Sequence, residues 1–175
     1  MNSWRLLLSS GAIVILGAAA PSLWGQSAAP SWSKLGPHVQ VRLTDGTRQI
    51  LGAHPRILKI VGTAPAMLDT LRTYKAGTPG GVAVLRVNDT RVYLGSEDPG
   101  DCARDFWTRV LAPAITSLST ADRALIDYLE GPNECDQTPC WATVDEARWL
   151  GDFWSTLAPL IRQNGFRPCA FSIPA

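Results

Sequence analysis

Strand-length apolar runs at residues 38–42, 57–61, 82–88, 125–129 and 168–173 alternate with longer segments of helical period, and almost no hairpin chemistry lies between them. Antiparallel neighbours can be joined by two-residue turns, whereas parallel strands need a long crossover, so the alternation predicts parallel βαβ units. Between the second and third runs, Met67, Leu68, Leu71 and Tyr74 fall on one face of a helix over 66–74, and Gly77-Thr78-Pro79-Gly80-Gly81 stops it. Helical spacing recurs over 105–118 and 145–163. In the latter, Trp149, Phe153, Leu157 and Leu160 or Ile161 recur at intervals of three and four. Thr143 and Val144 open that helix with Asp145 and Glu146 in its first turn, and Gly165 is a candidate C-cap. Residues 91–94 read as a short additional strand.

Two architectures fit this pattern. A doubly wound open sheet is complete with five strands, whereas a (β/α)8 barrel typically takes about 250 residues. At 175 residues, length alone favours the open sheet.

The N-terminus separates itself from the rest. Residues 1–5 carry one positive charge, 6–20 form an apolar stretch and 21–30 are rich in small residues, which reads as a secretory signal peptide. The apolar stretch is too short for a membrane span and is interrupted by Ser9, Ser10 and Gly11. The expected organisation is a signal peptide and lead-in over 1–29, then one domain over 30–175, exported and free of the membrane once cleaved. Sixteen basic against fifteen acidic residues, with lysine only at 34, 59 and 75, leave no polybasic stripe for nucleic acid or an anionic membrane.

Export makes disulfides the default for Cys102, Cys135, Cys140 and Cys169. Four cysteines allow three pairings. Cys135 and Cys140 flank the turn C-D-Q-T-P-C and are the preferred bridge, and Cys169 is expected to be a buried free thiol. His38 and His54 have no ligand-like spacing to each other or to the cysteines, so no metal and no cofactor is expected.

Polar residues occupy one parity of the apolar runs: His38, Gln40 and Arg42 on the first, Lys59 on the second, Arg86 and Asn88 on the third, Tyr128 and Glu130 on the fourth. Burying such groups unpaired is costly. They are expected to converge on one another, as in an ion pair of Lys59 or Arg86 with Glu130, or on a polar ligand near the strand C-termini. The sharpest local signal follows the fourth run, where Glu130-Gly131-Pro132-Asn133-Glu134 puts a carboxylate and an amide side chain at a strand end, held by the strand and exposed by the loop. Trp141, in the same loop, offers an aromatic face of the kind that stacks on a sugar ring.

The sequence E-G-P-N-E resembles the Asn-Glu motif at the end of the fourth barrel strand in clan A glycoside hydrolases, the retaining (β/α)8 enzymes. The L-G-P-H-V-Q at 35–40 and the F-S-I-P-A at 171–175 look like first and fifth strands of such secreted barrels. The resemblance implies that Glu134 is the general acid/base and that Asn133 binds the sugar hydroxyl beside the scissile bond, with His38, Gln40, Arg86, Asn88 and Trp141 lining the site. It also implies a barrel that stops after its fifth strand, lacking the glutamate nucleophile of the seventh. The expectation is therefore a secreted glycosidase-like protein that binds carbohydrate, inactive until further strands or a second chain complete it. The alternative is a non-catalytic carbohydrate-binding or structural α/β domain.

Overall fold

Residues 36–132, 137–139 and 142–170 are described by a computed structural model, and lie within a unit spanning Trp32–Ala175. The signal-peptide segment lies outside them. The strands are β1 (His38–Val39), β2 (Ile57–Val61), β3 (Val82–Arg86), β4 (Tyr128–Glu130) and β5 (Arg167–Cys169). They form one all-parallel sheet in the order β1-β2-β3-β4-β5. The protein is thus an α/β fold with an open, five-stranded parallel sheet.

The order follows the chain without a reversal. A doubly wound sheet reverses at a switch point and so carries helices on both faces. Crossovers between parallel strands are nearly always of one hand, so a sequential order puts every crossover on the same side. Burial agrees: Val39, Leu58, Ile60, Ala83, Leu85 and Leu129, all of one parity, join a single core cluster with residues from α1 (Asp45–Gly52), α2 (Pro65–Gly77), α3 (Pro99–Phe106) and α6 (Val144–Gln163). Leu58, Ile60, Leu85 and Leu129 are wholly buried, each stabilising the fold by about 1.5–3 kcal/mol relative to exposure. Ile57, Val61, Val82 and Val84, of the other parity, are not part of that cluster.

The helices begin where local chemistry satisfies their free N–H groups. Thr143 and Glu146 make a reciprocal capping box on α6, Asp98 caps α3 with Pro99 behind it, and Thr44 caps α1. The third helical segment starts at Pro99 rather than 105, then widens into a π-helical turn (Trp107–Leu111) before α4 (Ala112–Thr116). Pro113, which has no N–H to give, is the second residue of α4, just past the widened turn. The short α5 (Thr120–Arg123) precedes β4.

Several boundaries differ from the sequence reading. The first strand ends at Val39, so Gln40 is an exposed bend residue and Arg42 an exposed loop residue. The third ends at Arg86. The fourth begins at Tyr128 because the Leu125 and Ile126 amides close the turn after α5, donating to Asp122 and Arg123 carbonyls. Residues 91–94 form no strand; Tyr93 is instead buried at 2% exposure, its amide bonded to the Gln137 carbonyl. Helix α1 carries one buried residue, Leu51, too little to show as periodicity.

Candidate functional site at the carboxyl ends of the strands

Register decides which side chains meet on the face away from the helices. His38 aligns with Lys59, Lys59 with Val84, Val84 with Tyr128 and Tyr128 with Arg167. One pleat further toward the strand C-termini, Val61 aligns with Arg86 and Glu130 with Cys169. The row nearest the strand starts is apolar, with Ile57 beside Val82. Polarity therefore rises along the strands, toward the end where parallel sheets place their sites.

Lys59 Nζ donates to Glu130 Oε1 at 2.6 Å, reaching from β2 across β3 to β4. Glu130 is 2% exposed and Lys59 16%, so the pair is largely withdrawn from water. The expected convergence of polar groups on each other is met by this pair. His38 stands beside it with its basicity lowered, first by burial and then by the positive charges of Lys59 and Arg86. The Cys169 thiol is pushed up by burial and by the Glu130 carboxylate, against the pull of Lys59, so it is a neutral thiol at physiological pH. Below this polar row an open groove of about 460 Å³ is lined by Arg56, Ile57, Val82, Val84, Tyr128 and Cys169.

Two segments flank the C-terminal end of the sheet, residues 87–98 after β3 and, between β4 and α6, the described residues 131–132, 137–139 and 142–143. They are tied together: the Tyr93 amide donates to the Gln137 carbonyl at 2.9 Å, and Gln137 Nε2 donates back to the Asp89 carbonyl. The first loop is itself held by charge. Arg109, on the π-helical turn, donates to both carboxylate oxygens of Asp89 and to the Tyr93 hydroxyl, while Arg91 bridges Asp105 and Glu97. Burial works to raise the Asp89 carboxyl, and the Arg109 fork overrides it, leaving Asp89 below the usual carboxylate range. Under the second loop, Gly131 lets the Trp154 ring lie against the end of β4. A methyl group there would meet Trp154 Cζ2 at 2.5 Å.

The structure brings His38 and Arg86 together with Lys59 and Glu130. It does not bring Gln40, which the early end of β1 leaves exposed outside the sheet, or show Asn88 in the cluster; Asn88 is exposed in the loop after β3. Asn133, Glu134 and Trp141 lie outside the described residues, as do Cys135 and Cys140 and the bridge expected between them. Cys102 and Cys169 are unbridged, Cys102 buried in α3 and Cys169 only half-buried on β5, where full burial was expected. Sequence reasoning missed the Asp89, Tyr93, Arg109 and Gln137 lock. The segments have no shared period, and only the folded chain brings residues 89 and 137 together.

Among the described residues no group of three or more His, Cys, Asp or Glu side chains comes together as metal ligands, and no helix is long and apolar enough to cross a membrane. The chain matches no protein-family model, no curated protein and no solved structure.

Proposed function

We propose that this chain is a secreted carbohydrate-binding protein of glycoside hydrolase type, its five strands being consecutive staves of a (β/α)8-like barrel. The observation that carries the reading is the sequential parallel sheet with its polar row at the strand C-termini, immediately ahead of Gly131-Pro132-Asn133-Glu134. In a barrel the helix-free face becomes the interior, and the loops after the strands become the site. Glu134 is the general acid/base in this reading, with Asn133 beside it and Trp141 as a stacking face.

Retaining cleavage needs a second carboxyl group about 5 to 5.5 Å away across the bond. The described glutamates are otherwise engaged: Glu130 with Lys59, Glu97 with Arg91, and Glu146 in the cap of α6. The 175 residues are therefore expected to bind sugar without turning it over, and to cleave it only when further strands or a second chain supply the nucleophile. The same engagement of Glu130 favours the second reading, a purely binding protein.

The test compares oligosaccharide binding and hydrolysis by this chain with those of a version extended through a seventh strand. Turnover by the extended protein that falls about 10²- to 10⁴-fold in Glu134→Gln, with binding largely kept, supports the acid/base role. Turnover indifferent to Glu134→Gln overturns that role, and absence of sugar binding overturns the reading as a whole.

A further inference from the structure

The cations of the described chain are almost all accounted for. Arg48, Arg72, Lys75, Arg91, Arg104, Arg109 and Arg148 each pair with a carboxylate, Arg123 donates to the Asn164 carbonyl, and Arg167 lies on Tyr128. Lys59 is committed to Glu130. Among the described residues Arg42, Arg56, Arg86 and Arg162 have no side-chain partner. Three of these are exposed, where water is partner enough; Arg86 alone is half-buried.

Its position is also distinctive. Arg86 ends β3, the middle strand, on the face away from the helices, and aligns with Val61. Glu130 is held by Lys59, so among the described residues of the cluster Arg86 is the cation with no carboxylate on it. His38 lies close enough to feel it: its basicity is lowered first by burial and then by the charges of Lys59 and Arg86. Withdrawing a guanidinium from water without a partner costs free energy, and Arg presents a planar fork suited to an oxyanion.

We propose that Arg86 seats an acidic group of the ligand, so that the sugar bound at this site is an anionic oligosaccharide bearing carboxylate or sulfate groups. This rests on the carbohydrate reading above and narrows it. The oxyanion lies over the end of β3, accepting from the Arg86 fork. Neutral sugars leave the guanidinium half-desolvated and unpaired, and so are discriminated against.

The experiment is a glycan array of neutral, uronate-bearing and sulfated oligosaccharides, probed with the full chain and with Arg86→Gln, Arg86→Lys and the exposed control Arg162→Gln. The acidic classes are expected to bind, with uronate and sulfate spots telling the two anions apart. Arg86→Gln is expected to weaken that binding by about 10- to 100-fold, the worth of a charge-assisted hydrogen bond, and Arg86→Lys to keep part of it. Arg162→Gln binds as the parent does. Should Arg86→Gln fail to melt cooperatively, Arg86→Lys decides, since loss of the fork alone must weaken the acidic ligands selectively. Neutral sugars held as tightly as acidic ones, or acidic binding unchanged in both Arg86 variants, overturns this inference while the carbohydrate reading stands; no sugar bound at all overturns both.

Discussion

Arg109 holds both carboxylate oxygens of Asp89, at 2.7 and 2.6 Å, from a helical turn twenty residues further along the chain. Asp89 is 3% exposed and Arg109 42%, so one member of the pair is buried and the other half in water. The pair fastens the loop after β3, and through Gln137 that loop fastens the one after β4.

Arg109→Met leaves the Asp89 carboxylate buried with its main partner gone. The cost is expected at about 2 kcal/mol, below the 3–5 typical of breaking a fully buried pair because Arg109 is partly solvated. Urea unfolding measures the loss, and hydrogen exchange should quicken first in residues 87–98. The pair's dependence on acid has a definite sign. Asp89 titrates below the ordinary carboxyl value in the folded protein, so its stabilisation is present above that value and is lost as pH falls through the depressed one. Asp89→Asn should flatten this acid limb.

Lys59→Met removes the counter-charge of a carboxylate that is 2% exposed. A loss of about 3 kcal/mol is expected, because the buried carboxylate is left without its partner. The double variant Lys59→Met/Glu130→Leu, which replaces the pair by apolar groups, should recover most of the stability. Thermal melts of the three proteins read the loss and the recovery; a double variant no more stable than Lys59→Met would count against the pairing.

Gly131→Ala and Gly151→Ala should have opposite signs. At 131 the added methyl meets the Trp154 ring at 2.5 and 2.7 Å, and overpacking of this kind costs about 1–3 kcal/mol. At 151, inside α6, nothing lies within 4 Å, and exchanging glycine for alanine in a helix gains up to about 1 kcal/mol. Denaturant midpoints of the two variants decide it.

Tyr74 contributes to the alkaline limit. Its hydroxyl donates to the Arg56 carbonyl at 2.7 Å, and burial, with the charge of Asp127 adding, pushes the phenol from 10.0 up to about 12. A raised folded value means that the contribution is complete below pH 10 and is lost as pH climbs toward 12. Tyr74→Phe should be less stable than the parent at neutral pH, with the gap closing over that interval, as followed by circular dichroism.

Legibility in the sequence tracked how much of an element's identity is carried by its own side chains. β2 and α6 were readable almost to the residue, because Ile57–Val61 is apolar but for Lys59 and Thr143 with Glu146 encodes a helix start. α1 was invisible, since it buries only Leu51 and is held by its cap and by the crossover it serves. The side of the sheet on which Lys59, Arg86 and Glu130 lie followed from period two alone. Which of Lys59 and Arg86 reaches Glu130 did not, because register between β2, β3 and β4 is fixed by packing that no single strand contains. Arg86 was legible as polar in step with Val82 and Val84, but its lack of a partner among the described residues emerges only when the other described cations are placed.

The sequential strand order bears on how such a sheet comes into being. Each strand hydrogen-bonds to the one made just before it, so no early strand waits for a late one to be inserted between its neighbours. Loop-closure entropy is met in small instalments, one crossover at a time, which suits growth of the sheet on the ribosome from the N-terminal side. The same rule lets evolution lengthen the sheet at its growing edge, one strand and helix per duplication, without disturbing the pairings already made.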